Sequence, residues 1–213
     1  MNFRALAATG VLGLWLASPS AFANLILNGD FEAGNTGWTV TNNAQIVGPC
    51  TAGCPTTNPL WFGGGTISQN GAWVGTFNNG DRAPVGSFSQ VVSTNAGEAY
   101  HLQFSYGVTD SPNNDILEQQ SMLVEAIGSG TLLSQTVVGN NPPQGLAQFD
   151  YFFTANSATT TIRFSDVGTN ATGSRDGILD NVSLVPEPAS LALLGLGIAG
   201  LAFSRRRKWK PAA

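Results

Sequence analysis

Tyr100-His101-Leu102-Gln103-Phe104-Ser105-Tyr106 sets an aromatic or large aliphatic side chain at every second position. Successive side chains of an extended chain point to opposite faces, so this stretch is a strand. Tyr100, Leu102, Phe104 and Tyr106 turn to a core, and His101 and Gln103 turn away from it. Shorter runs of the same kind lie at 85–92, 121–127, 132–138, 148–153 and 159–164, rich in β-branched and aromatic residues. Turn chemistry separates them: Asn79-Gly80, Gly128-Ser129-Gly130, Asn141-Pro142-Pro143 and Asp176-Gly177. No stretch of this body holds a 3.6-residue period for three turns. Short strands at regular spacing predict an all-β chain, an antiparallel β-sandwich of the jelly-roll kind. Residues 41–71, dominated by Gly, Pro, Thr and Asn, are expected to form a long surface loop with at most short strands.

Charged residues make up 10% of the 213-residue chain, against about 25% in typical soluble domains. That value, with 26 Gly and 11 Pro, excludes a charged helical bundle. The 42% hydrophobic content excludes a disordered acidic chain. From Asn24 to Val185 only Arg82, Arg163 and Arg175 stand against twelve carboxylates, a balance of −9 with no lysine. Such a body repels phosphate backbones, so no nucleic acid is expected as a partner.

The two ends carry a different pattern. Residues 1–23 have a positive start at Arg4, an apolar run from Ala5 to Leu16 and the small-x-small sequence Ala21-Phe22-Ala23, the marks of a secretory signal peptide. The mature chain is then expected to begin at Asn24 in an oxidising compartment. At the other end, Val185-Pro186-Glu187-Pro188 precedes an uncharged run, 189–203, and then the basic cluster Arg205, Arg206, Arg207 and Lys208. As a helix, those 15 residues reach roughly 22 Å, a short transmembrane helix that bilayer thinning and snorkelling basic side chains accommodate. The basic cluster stays in the cytoplasm and the acidic body faces outward. Within this tail, Gly195 to Gly200 match G-x-G-x-x-G, but without a preceding strand or a βαβ unit the match carries no dinucleotide chemistry. The expected organisation is a signal peptide at 1–23, a β-sandwich body at 24–184 and a tail at 185–213.

The order of Pro-Glu-Pro, short apolar helix and terminal arginine cluster closely resembles the PEP-CTERM sorting signal. That resemblance implies an exported protein of a Gram-negative bacterium, anchored in the inner membrane through its C-terminal helix. It also implies an exosortase, a membrane cysteine transpeptidase, as the partner that cuts near the motif and passes the body to the envelope, surface or matrix. The body has landmarks of its own: Asn24-Leu25-Ile26-Leu27-Asn28-Gly29-Asp30-Phe31-Glu32 continuing to Gly37-Trp38, and Gly177-Ile178-Leu179-Asp180-Asn181-Val182-Ser183-Leu184 at the end. Together they resemble galactose-binding-like carbohydrate-binding jelly rolls and choice-of-anchor modules, a likeness that implies architecture more firmly than activity.

Few residues offer chemistry. Cys50 and Cys54 are the two cysteines, with three residues between them, and in an exported chain they are expected to form a local disulfide. His101 is the sole histidine, and neither G-x-S-x-G nor H-E-x-x-H occurs, so it is read as a partly exposed strand residue. The acids are scattered, and nothing marks two of them as a glycosidase pair. Asp30, Glu32 and Asp180 are hard oxygen donors near opposite ends of the body. If the first and last strands lie side by side, they converge into a calcium site helped by carbonyls near Asn28, Phe31 and Asn181. The resembled jelly rolls hold a structural calcium with carboxylates at the positions of Glu32 and Asp180. Alternatively, Asn28-Gly29-Asp30 is a simple turn and Asp180 a surface acid. Among the body's tryptophans, Trp38 after the first strand and Trp73 are expected in the core, and Trp61 in its loop as an exposed aromatic platform. The functional expectation is a non-enzymatic envelope module that binds or organises a neutral exopolysaccharide. The alternative is a polysaccharide-active enzyme on the same scaffold.

Overall fold

The computed structural model describes residues 23–48, 73–77, 86–108, 120–139, 146–167 and 177–187, all within one compact unit spanning 22–187. The signal peptide up to Phe22, the Cys50–Cys54 pair, Trp61, the apolar run at 189–203 and the basic cluster Arg205–Lys208 lie outside the described residues.

Ten strands follow in order: β1 (Thr39–Thr41), β2 (Gln45–Val47), β3 (Val74–Phe77), β4 (Ser87–Ser93), β5 (Ala99–Val108), β6 (Ser121–Ile127), β7 (Thr131–Val138), β8 (Ala147–Thr154), β9 (Thr159–Asp166) and β10 (Gly177–Pro186). The described residues contain no helix. The strands form two five-stranded antiparallel sheets, ordered β1-β4-β9-β6-β7 and β2-β3-β10-β5-β8. One core joins them. Phe88, Val124, Ile162 and Phe164 of the first sheet meet Leu102, Phe104, Leu179 and Leu184 of the second, all fully buried. Edge-to-face ring pairs cross the gap: Phe104 to Phe164 at 5.2 Å and Phe77 to Phe88 at 5.1 Å. Each such pair adds about 0.5–1.5 kcal/mol beyond the area it buries. The chain is a β-sandwich, as the period of two predicts.

β5 shows why the pattern works. Its first half alternates, with Tyr100, Leu102 and Phe104 buried and His101 and Gln103 half-buried between them. From Phe104 onward every residue is buried, because both faces of the strand are covered there. A small second cluster of Val74, Leu146 and Ile178, with Val47 against it, separates from the main core.

The predicted first strand is not one. Residues 25–37 form successive turns, and Asn28 explains why. Its side-chain amide donates to the carbonyls of Gly34 at 2.8 Å and Thr36 at 3.1 Å, and its Oδ1 accepts the N–H of Ala33 at 2.8 Å. Backbone groups satisfied locally do not need a ladder partner. Positive φ angles at Asn28 (53°), Phe31 (59°), Gly34 (61°) and Gly37 (82°) close the turns. Phe31 and Trp38 still reach the core, stacked 5.2 Å apart. This looped segment nevertheless lies beside the last strand, as expected: Leu25 N–H donates to Leu184 O and Val182 N–H to Gly29 O, both at 2.8 Å. Trp73 departs from expectation in the other direction. It precedes β3 rather than lying inside it and is 37% exposed, its ring against Gly48.

Candidate functional site

The outward residues of β5 and β8 make a small platform. The register pairs His101 with Phe152 and Gln103 with Asp150. The His101 and Phe152 rings stack with centroids 4.3 Å apart and planes 9° from parallel. Phe152 is 61% exposed, the most open aromatic among the described residues. Beside it, Asp150 Oδ1 accepts the Gln103 amide at 2.7 Å and the His101 Nε2–H at 2.8 Å. Those two bonds, Gln103 first, hold the Asp150 carboxyl below its usual range, because each favours the ionised form. On the other side of the imidazole, Nδ1 lies 3.8 Å from Glu187 Oε1. The result is a flat aromatic surface bordered by an amide and an ionised carboxylate.

Sequence reasoning turned His101 outward correctly but gave it no role. Its partners sit 49 to 86 positions along the chain, so only strand register reveals them.

A cleft of about 300 Å³ opens where the N-terminal turns meet β10, lined by Asn24, Ile26, Asn28, Gly29, Asp30 and residues Asn181 to Ser183. It is built on a β-bulge: the β10–β5 register shifts between Asp180 and Ser183, and Asn181 has φ 54°. The three acids predicted to share a cation occupy different surroundings. Asp30 lines this cleft, Glu32 Oε1 accepts the N–H of Trp73 at 2.8 Å, and Asp180, fully buried, accepts the N–H of Asn181 at 2.7 Å through Oδ1. Among the described residues no three His, Cys, Asp or Glu side chains gather closely enough to hold a metal. Trp73, whose N–H Glu32 accepts, lies two residues before Gly75, and Gly75 pairs with Leu179, the neighbour of Asp180 in sequence.

The third region is the start of the tail. Pro186 is the last residue of β10, paired with Tyr100, and Glu187 N–H donates to Ala99 O at 2.8 Å. Pro188 lies outside the described residues. Arg163, the one arginine among the described residues, pairs with Glu125 at 2.7 Å.

No curated protein matches the chain. Among solved structures, the sandwich is similar to Family 16 Carbohydrate Binding Module-2, at 16% identity and TM-score 0.50 over 76% of this chain and 99% of that one. It is also similar to the Stig cyclase Fisc from Fischerella sp. TAU, at 15% identity and TM-score 0.56 over 79% and 99%. A further cyclase from Fischerella sp. TAU matches at 15% identity and TM-score 0.54 over 76% and 96%. At these identities the likeness establishes the fold alone, and the fold serves binding modules and cyclases both. Residues 184–208 match the PEP-CTERM protein-sorting motif, so the chain carries the signal of an exported protein, anchored in the membrane before an exosortase processes it.

Proposed function

We propose that the sandwich is a non-catalytic jelly-roll module that binds neutral polysaccharide at the envelope or surface of a Gram-negative cell. The supporting observation is the exposed Phe152 ring, backed by His101 and bordered by Asp150 and Gln103. A sugar packs the C–H face of its ring on an aromatic plane, while an ionised carboxylate accepts and an amide donates to its hydroxyls. The body's acidic balance disfavours anionic glycans on every approach, which makes neutral chains the better target. One ring and a few solvent-competing hydrogen bonds leave little surplus after ordering costs, so affinity per module is low. Many copies on a surface offset this through avidity. Trp61, the aromatic singled out from the sequence, is a second proposed contact. A structural calcium held by Glu32, Asp180 and main-chain carbonyls is proposed as a brace for the body, with Asp30 outside its first set of donors.

The alternative, a polysaccharide hydrolase, needs two carboxylates facing across bound sugar, one with its pKa raised. Asp150 and Glu187 flank one imidazole instead, and Asp150 is shifted downward. The test is retention on insoluble neutral glycans and on the host's own matrix. Wild type should be held, and Phe152→Ala should lose most of that retention. Equal retention by the variant, or none by wild type, defeats the platform. Release of soluble sugar on incubation would replace binding by hydrolysis.

A further inference from the structure

The sorting motif does not begin where the sandwich ends. β10 pairs with β5 through Val185↔His101 and Pro186↔Tyr100, and the Glu187 N–H continues the ladder onto Ala99 O at 2.8 Å. Two of the three motif residues, Pro186 and Glu187, therefore belong to the folded body. Pro186 costs the ladder nothing. In an antiparallel pair, successive residues direct their N–H groups to opposite sides. With Glu187 bonded to Ala99, the N–H that proline lacks would have pointed away from β5, the placement a strand tolerates. The one charge of the motif also faces β5. The Glu187 carboxylate lies 3.8 Å from His101 Nδ1, and both side chains are largely covered, at 22% and 19% exposure. His101 is itself a fixed post, stacked on Phe152 and bonded to Asp150.

A processing enzyme that cuts a peptide near a motif binds it extended, pairing with its backbone and seating its side chains in pockets. Here the backbone of Glu187 is paired with Ala99 of β5, and its carboxylate faces His101 of β5 at 3.8 Å. We propose that the sandwich masks its own sorting motif: His101 is a positioning residue that latches Glu187, and the sorting enzyme engages the motif only after Val185 to Glu187 peel from β5. Peeling is a local opening rather than unfolding. Leu184 is the last fully buried side chain of β10, and the residues beyond it are only half-covered. Segments with few buried apolar contacts open at a small fraction of the global unfolding cost. The inference rests on the sorting motif and not on sugar binding, so it stands or falls apart from the proposed function.

The test follows processing of the full-length chain in a host that carries the sorting enzyme, by pulse-chase with intact-mass readout. A partly exposed imidazole–carboxylate contact contributes a factor of about 1.5–5 to an opening equilibrium, so His101→Ala should be processed about 1.5-fold to fivefold faster than wild type. His101→Gln keeps an N–H donor toward the carboxylates and should return toward the wild-type rate. Unchanged or slower processing of His101→Ala overturns masking, and slower processing would mean that the docked strand presents the motif instead. Equal acceleration by both variants removes the donor from the explanation. Hydrogen exchange on the purified full chain in detergent guards against a mere folding defect. The Glu187 amide should be protected in wild type and should exchange faster in His101→Ala, while the Leu102 amide in β5 is unaffected. A Glu187 amide that exchanges at the open-chain rate in wild type shows that no latch exists.

Discussion

Gly29→Ala tests the joint between the N-terminal turns and the last strand. A Cβ built on Gly29 would sit 1.9 Å from the Val182 carbonyl oxygen and 3.2 Å from Ile26 Cγ2. The obstruction is backbone, and the same residue's N–H donates to Gly29 O at 2.8 Å, so the two chains cannot separate without losing that bond. Overpacking a well-filled site costs about 1–3 kcal/mol. Losing the hydrogen bond adds roughly 0.5–1.5 kcal/mol. A destabilisation of about 1.5–4.5 kcal/mol follows, and at about 2–4 °C per kcal/mol for a domain of this size the melting temperature should fall by about 3–18 °C. Gly130→Ala is the control, since a Cβ there meets nothing within 4 Å and no positive φ is involved. It should melt within about 1 °C of wild type or slightly above, because alanine restricts the unfolded chain. The assay is thermal unfolding of the mature protein by circular dichroism, with both variants at one concentration and pH. Equal melting of the two variants would show that residues 25–37 do not pack on β10, and the cleft they frame would go with them.

Three further outcomes are expected. Intact mass of the native protein should show an N-terminus at Asn24, loss of the segment after Pro186-Glu187-Pro188, and two hydrogens missing at Cys50 and Cys54. Surface protein still carrying Leu191 to Lys210, or both thiols alkylated without reduction, contradicts the respective part. Chelation should lower the melting temperature of the body and added calcium should restore it, a response that Glu32→Gln and Asp180→Asn each abolish; an unchanged melt leaves Asn28-Gly29-Asp30 as a turn and nothing more. Asp150 is held low by Gln103 and then His101. Such a carboxyl adds stability above its unfolded pKa and loses it as pH falls through its lower folded value, so the window lies below about pH 4. Asp150→Asn should flatten the acid limb there by a small amount, since the side chain is 49% exposed, and superimposable profiles would refute the assignment.

How much of this was legible follows from how local each signal is. β6 occupies the predicted 121–127, and β4, β7, β8 and β9 begin or end within about two residues of their apolar runs, the usual uncertainty of element ends. Alternation is a property of neighbours in sequence, so it survives without knowledge of the fold. The three-residue strands β1 and β2 are too short to show any period. The N-terminal turns misled for a different reason. Leu25-Ile26-Leu27 is apolar enough for a strand, but Asn28 closes three hydrogen bonds within its own neighbourhood and bends the chain before a ladder forms.

The site was harder to see because its parts meet only through register. His101, Phe152 and Glu187 belong to three strands or strand ends, and a one-residue slip of β8 would put Phe152 on the core face and expose Tyr151 or Phe153 instead. Register here is set by burial: Phe149 and Tyr151 pack on Phe104, and Phe153 stacks on Tyr100 at 5.7 Å. The inward aromatics of β8 therefore fix where its outward residues stand, and so place Phe152 over His101. The same logic reaches the tail. Leu184, fully buried and bonded to both Leu25 and Asn24, sets the phase of β10. Three residues on, that phase carries Glu187 opposite Ala99 and within reach of His101. Residues that the sequence assigns to the tail are thereby drawn into the sheet by the hydrophobic residue that precedes them.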